Sequence, residues 1–137
     1  MDATAPPIVT PEVRIVDEQG HLRLLLSAKG GIPKIHLFRS DGRPGSEVSL
    51  DADGRPSIKL ANINANGPTA VLEIDGKGAH VKFDRSGGAS SYLFLSDAGA
   101  SGIVLIDSKG IRRLNAAIDP EGTAKIERFG PDGKLLL

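Results

Sequence analysis

The sequence predicts an all-β chain of about eleven short strands joined by Asp-x-x-Gly turns. Three observations carry this: a glycine-ended mark that returns along the whole chain, alternating apolar residues between the marks, and no sustained helical stripe. Seventeen glycines spread through 137 residues add to the case against long helices.

Residues 1–11 hold Pro6, Pro7 and Pro11, whose fixed φ and missing N–H favour an extended, poorly paired leader. Strands are expected to begin near Glu12 or Val13, with residues 12–137 forming a single β-repeat domain. The marks follow in order as Asp17-Glu-Gln-Gly20, Ser27-Ala-Lys-Gly30, Arg39-Ser-Asp-Gly42, Asp51-Ala-Asp-Gly54, Asn64-Ala-Asn-Gly67, Asp75-Gly-Lys-Gly78, Asp84-Arg-Ser-Gly87, Ser96-Asp-Ala-Gly99, Asp107-Ser-Lys-Gly110, Asp119-Pro-Glu-Gly122 and Gly130-Pro-Asp-Gly133. An apolar residue precedes every one, from Val16 and Leu26 to Ile118 and Phe129. A leading Asp, Asn or Ser can accept a hydrogen bond from the backbone two residues on, and the closing glycine supplies a left-handed conformation. These are the preferences of a type I turn closed by a bulge.

Between the marks, Leu22/Leu24/Leu26, Val48/Leu50, Leu72/Ile74, Val81/Phe83 and Leu93/Leu95 recur at every second position, as on one face of a half-buried strand. The closing glycines are spaced by 10, 12, 12, 13, 11, 9, 12, 11, 12 and 11 residues, so the second half settles into a two-strand unit of 23. Hairpin geometry pairs Val16 with Leu22, Leu26 with Ile32, and Phe129 with Leu135. A one-residue change of step moves the pre-turn residue to the other face. Alternate turns are therefore expected to differ, or one strand of each pair to carry a bulge, which makes a plain meander of identical hairpins too simple.

A sheet with one apolar face must cover Leu24, Val48, Leu72 and Leu93 by curling, folding over or meeting another chain. Four Phe, one Tyr and no Trp leave little aromatic area for a wide core. That composition and the 23-residue unit favour a stacked or intertwined β-prism or β-solenoid, the oligomeric prism first, over a closed meander barrel or sandwich.

Seventeen basic and seventeen acidic residues cancel, removing the broad attraction that nucleic acid or an anionic membrane exploits. Without cysteine there is no disulfide, thiolate metal site or cysteine nucleophile. No apolar run is long enough to span a bilayer, and Met1 to Pro11 lacks a signal-peptide pattern, so an exported protein would begin upstream of this chain.

Gly31-Ile-Pro-Lys-Ile-His-Leu-Phe, Ser49-Leu-Asp-Ala-Asp-Gly-Arg-Pro-Ser-Ile-Lys-Leu and Val104-Leu-Ile-Asp-Ser-Lys-Gly-Ile-Arg-Arg-Leu resemble a bacterial Asp-x-x-Gly β-repeat family with units of the form Leu-x-Leu-x-Asp-x-x-Gly-x-Pro/Arg. The likeness runs from about Val13 to Leu137. Members often carry the units after a hydrophobic or coiled-coil segment, so the resemblance implies a surface-associated assembly, with a homotrimer favoured, and an extracellular or cell-surface location. It supplies no catalytic residues. This sequence has no coiled coil. It is less similar to the Tyr-Asp repeats of large polymorphic toxins, whose defining tyrosines it lacks.

Asp51-Ala-Asp53-Gly54 echoes the start of a calcium loop, but position twelve is Asn62 rather than the required Glu, so turn chemistry is the reading taken. His21, His36 and His80 lie far apart with no metal-binding spacing, and could meet only if strands brought them together. The run Ser86 to Ser91 lacks the features of a nucleophile elbow or a phosphate loop. Arg43, Arg55, Lys59, Lys82, Arg112 and Arg113 could line up on one face toward an anionic polymer. Tyr92 and Phe94 make their strand apolar on both sides, as an intersubunit contact or a sugar-stacking platform would. No catalytic, cofactor or metal residues are assigned. The chain is expected to be a non-enzymatic structural module without a cofactor, a homo-oligomer that binds no nucleic acid and inserts in no membrane. The alternative is a binding module for a polysaccharide or protein, on a repeat face or at the irregular loops Ala61 to Pro68 and Gly87 to Ser91.

Overall fold

A computed structural model describes residues 4–137. The part of the leader formed by residues 1–3 lies outside the described residues. Residues 4–10 enter no strand and are exposed.

From Glu12 onward the chain is a succession of short strands joined by turns: β1 (Glu12–Val16), β2 (Leu22–Ser27), β3 (Lys34–Phe38), β4 (Pro44–Leu50), β5 (Pro56–Leu60), β6 (Thr69–Asp75), β7 (Gly78–Asp84), β8 (Ser90–Ser96), β9 (Ser101–Ile106), β10 (Arg112–Ile118), β11 (Ala124–Phe129) and β12 (Leu135–Leu136). The twelfth is the short strand beyond Gly133. A 3-10 turn at Lys29–Gly31 is the one helical element among the described residues. All strands are antiparallel and form a single sheet in chain order, β1 to β12, open at both edges. The closed barrel is therefore not formed. No helix among the described residues is long and apolar enough to cross a membrane.

The strand order is that of a meander, and its irregularity lies in the turns. Seven marks close alike: the first residue accepts a bond from the glycine three residues on, and its own N–H donates to the carbonyl of the residue after that glycine. Asp17, Arg39, Asp51, Ser96, Asp107, Asp119 and Gly130 are these first residues. Where the first residue is Asp17, Asp51, Asp107 or Asp119, its Oδ1 also accepts from the amides two and four residues on.

Register shifts distinguish the two ends of the sheet. Turns β1–β2, β3–β4 and β9–β10 lie at one end, and each is followed by an extra residue on the even-numbered strand: Arg23, Gly45 and Arg113. At the other end, β4–β5, β8–β9 and β10–β11 pair without a shift. The twelve-residue steps from Gly42 to Gly54 and from Gly110 to Gly122 contain the extra residues Gly45 and Arg113. Arg113 is held from both sides: it donates to the Phe129 carbonyl at 2.8 Å and to Asp107 at 3.2 Å. Arg23 does the same with the Phe38 carbonyl at 3.1 Å and Asp17 at 3.5 Å.

Val16 pairs with Leu22 and Phe129 with Leu135, as hairpin geometry requires. Leu26 pairs instead with Ile35, not Ile32. Gly30 and Gly31 are both left-handed, the Gly31 amide bonds back to Ala28, and Pro33 has no N–H to give a ladder, so the hairpin closes three residues later. Two further marks are corrected. Asp75 pairs directly with Gly78 across a two-residue turn, and the mark at Asp84 is displaced by one, closing as Arg85 to Gly88. That displacement turns the apparent twelve-residue step to Gly99 into eleven.

Candidate functional site

Pairing register sorts the side chains onto two unlike faces. One face carries an unbroken row of directly opposed apolar residues: Val13, Leu26, Ile35, Val48, Ile58, Leu72, Val81, Leu93, Ile103, Ala116 and Ile126. Leu37, Leu60, Phe83 and Leu105, two residues along their strands, share that face. None of the described residues covers it. Leu93 is 57% exposed, Leu72 49% and Ile126 74%. Beside small Ala116 the row dips into a hollow of about 440 Å³, bounded by Leu93, Ile103, Ile118 and Ile126.

The opposite face reads Arg14, Leu25, His36, Glu47, Lys59, Val71, Lys82, Tyr92, Val104, Asn115 and Glu127 across the same strands. It is the more closely packed of the two, because its long polar and aromatic side chains lie over one another. Val104, 2% exposed, is the one fully buried hydrophobic residue among those described, and it sits here between Tyr92 and Asn115.

Two histidines make cross-strand pairs on this face. His36 stands opposite Glu47 and its Nε2 bonds the Glu47 carboxylate, which also accepts from Ser49 at 2.7 Å. His80 stands opposite Glu73, with Nε2 to Oε1 at 2.8 Å. The His36 and Ser49 donors hold the Glu47 carboxyl below its ordinary value. Glu73, Asp75 and His80 also bring one donor atom each within 4.8 Å of one another, the only such group among the described residues. Sequence spacing did not reveal it, because the grouping depends on the two-residue turn at Gly76-Lys77 that sets Glu73 opposite His80. Those donors are already engaged: His80 with Glu73, and Asp75 Oδ1 with the amides of Lys77 and Gly78. The backbone N–H of Lys77 is the chief cause of the lowered Asp75 pKa. A divalent cation would compete with the His80–Glu73 bond for this group.

A cavity of about 480 Å³ opens on the polar face over β7 to β10. Tyr92 and Phe94 stand side by side in it, ring centroids 6.1 Å apart and planes tilted by 51°. His80, Lys82, Arg112 and Asn115 surround them above Val104. Arg112 Nη2 donates to the Tyr92 hydroxyl at 3.3 Å.

Other residues singled out in the sequence lie elsewhere. Asp51 spends its Oδ1 on the amides of Asp53 and Arg55, and Asp53 faces Arg55 at 3.6 Å. His21 lies at the first turn near Asp17. Arg43 pairs with Asp41 at 2.7 Å and Lys82 with Asp84 at 3.1 Å, so the six basic residues named do not form one unpaired stripe. The loop Ala61 to Pro68 is folded around Asn62, which donates to the Pro68 carbonyl and accepts from the Asn64 amide. Compared with known proteins, the chain matches no family model and no curated protein.

Proposed function

We propose that the chain is a non-enzymatic structural and assembly module, whose β-repeat sheet becomes rigid by covering its apolar face with further copies of itself. The supporting observation is the uncovered row from Val13 to Ile126. A compact monomer of this mass exposes about 6,800 Å², whereas this chain exposes 9772 Å². The exposed residues 4–10 and the open faces of a one-layer sheet, the apolar one among them, contribute to the excess. Eleven strand spacings of about 4.8 Å and strands of about 20 Å make that face roughly 1,000 Å² per chain, above the ~800 Å² per partner of a standard stable interface.

A homotrimer is favoured. Three sheets with their apolar faces inward make a triangular prism in which each face is covered by the other two, and the hollow beside Ala116 receives a side chain from a neighbour. Such a body presents its polar faces outward, and a surface-associated location accords with the resemblance noted above.

Light scattering coupled to size exclusion tests this at tens of micromolar. A mass of three times 14.3 kDa is expected. A clean monomer overturns the assembly reading, and a dimer replaces the prism with a two-sheet sandwich.

A further inference from the structure

We infer that the polar-face cavity over β7 to β10 binds a carboxylate-bearing sugar unit of an acidic polysaccharide. Its volume of about 480 Å³ lies within the roughly 300–1,000 Å³ of small-molecule sites. Three features of the cavity choose the ligand class.

Tyr92 and Phe94 present two neighbouring rings on one side of β8, a broad apolar surface with a polar hydroxyl at its edge. The C–H face of a pyranose buries well on such a surface, as amphipathic ligands do on aromatic side chains. Arg112 is the second feature. Among the described residues it has no carboxylate within ion-pairing distance, and its one side-chain bond is to the Tyr92 hydroxyl. Its guanidinium is therefore held beside the aromatic pair with donors to spare, a fork matched to a carboxylate. Asn115, whose Nδ2 donates to Glu127 at 3.1 Å, is the third, with an amide oxygen available to a sugar hydroxyl.

The floor is firm. Val104 is buried beneath, and the ladder β7–β8–β9 runs without a register shift under the rings, the shift at Arg113 lying between Arg112 and Asn115. Acidic neighbours limit the charge the site accepts: Asp84 pairs with Lys82, Glu73 with His80, Asp75 lines the rim, and Glu127, bonded by Lys125 and Asn115, lies near enough to feel the Arg112 charge. One carboxylate against Arg112 fits this balance better than the dense phosphates of nucleic acid. The cavity is complete in one chain and on the face away from the apolar row, so it does not rest on the assembly proposed above.

Tyr92 is the only tyrosine and there is no tryptophan, so tyrosine fluorescence reports on the site directly. The full chain is titrated with tetragalacturonic acid, with cellotetraose as the neutral probe and an oligothymidylate as the phosphate probe. A saturable change of emission with tetragalacturonate is expected, weakened about tenfold or more by Arg112→Gln and unaffected by Arg43→Gln at the distant β3–β4 turn. Calorimetry is expected to show the same loss for Tyr92→Ala, with circular dichroism confirming that each variant keeps its sheet. If Tyr92→Ala unfolds, the Arg112→Gln comparison decides alone. Absence of binding at millimolar tetragalacturonate, equal binding by Arg112→Gln, or equal or tighter binding of cellotetraose or oligothymidylate overturns the inference. The light-scattering mass answers a separate question, so either proposal can fail alone.

Discussion

Replacing Leu93 by lysine places a charge in the middle of the apolar row without touching a backbone hydrogen bond. Leu93 stands between Val81 and Ile103 and keeps 57% of its surface exposed in the single chain. Fully burying a leucine is worth about 1.5–3 kcal/mol, so covering what remains contributes about 1–1.5 kcal/mol per chain. Three chains losing this together forfeit about 4 kcal/mol, or about a thousandfold in the trimer association constant. Desolvating three ammonium groups in an apolar interior adds several kcal/mol more. A trimer of the parent chain at tens of micromolar is therefore expected to become monomer in Leu93→Lys, with a lower thermal midpoint. Sedimentation velocity over a hundredfold range of concentration checks it. The opposite-face change Lys59→Gln should leave the mass unaltered. If Leu93→Lys retains the parent's mass and midpoint, the apolar row is not the assembly surface and the reasoning fails.

Gly102→Val is expected to cost about 1–3 kcal/mol, because the first added carbon would lie 2.5 Å from the Ala116 carbonyl oxygen and 2.9 Å from the Ala117 Cβ. A thermal melt showing no loss would refute that close approach of β9 to β10. Lowering the pH should unfold the turns. Asp17, Asp51 and Asp107 have carboxyls held below the ordinary 3.8, chiefly by backbone N–H bonds from His21, Arg55 and Ile111. A carboxyl depressed in the folded state adds stability that is complete above its unfolded value and is lost as pH falls through the folded one. Urea midpoints are therefore expected to be level at neutral pH and to drop below about pH 4, less steeply in Asp107→Asn, which keeps the acceptor oxygen without the titration. Arg113→Met should loosen the C-terminal hairpin, raising amide exchange in β11 about fivefold for the loss of about one net hydrogen bond. Exchange unchanged at Phe129 would show that the Arg113 bond to its carbonyl carries no weight.

The turns were legible because each is a local event. An Asp that accepts its own loop's amides and a glycine that turns left-handed depend on residues within four positions, which sequence displays directly. The pairings Val16–Leu22 and Phe129–Leu135 followed for the same reason. Leu26–Ile32 did not, since two adjacent left-handed glycines and Pro33 compete to set where the hairpin closes, and the 3-10 turn prevails. The alternation of twelve and eleven residues left open unequal turns or a bulge on one strand of each pair; extra residues are found in three pairs, Arg113 in β10 among them. The Asp84 mark misplaced its turn because Gly88 offers the same freedom one position later. Of the polar-face cavity, the sequence disclosed Tyr92, Phe94, Lys82 and Arg112 singly. What joins them is the register of β7 through β10, the sum of several turns, and an error at any one would have separated them.

The two faces of the one sheet differ in how far a single chain can cover them. In a folded monomer, the apolar row would be the closed side and the polar side the wet one. Here the polar side holds the buried Val104 and the packed rings, while Leu72, Leu93 and Ile126 stand open. Long side chains such as Lys82, Tyr92 and Arg112 can cover their neighbours without a second layer, whereas valine, leucine and isoleucine are too short to shield one another across a flat ladder. A single sheet can therefore finish its polar face alone but not its apolar one. That asymmetry is the physical reason for proposing the apolar face as the assembly surface and the polar face, more closely packed within one chain, as the one that meets ligands.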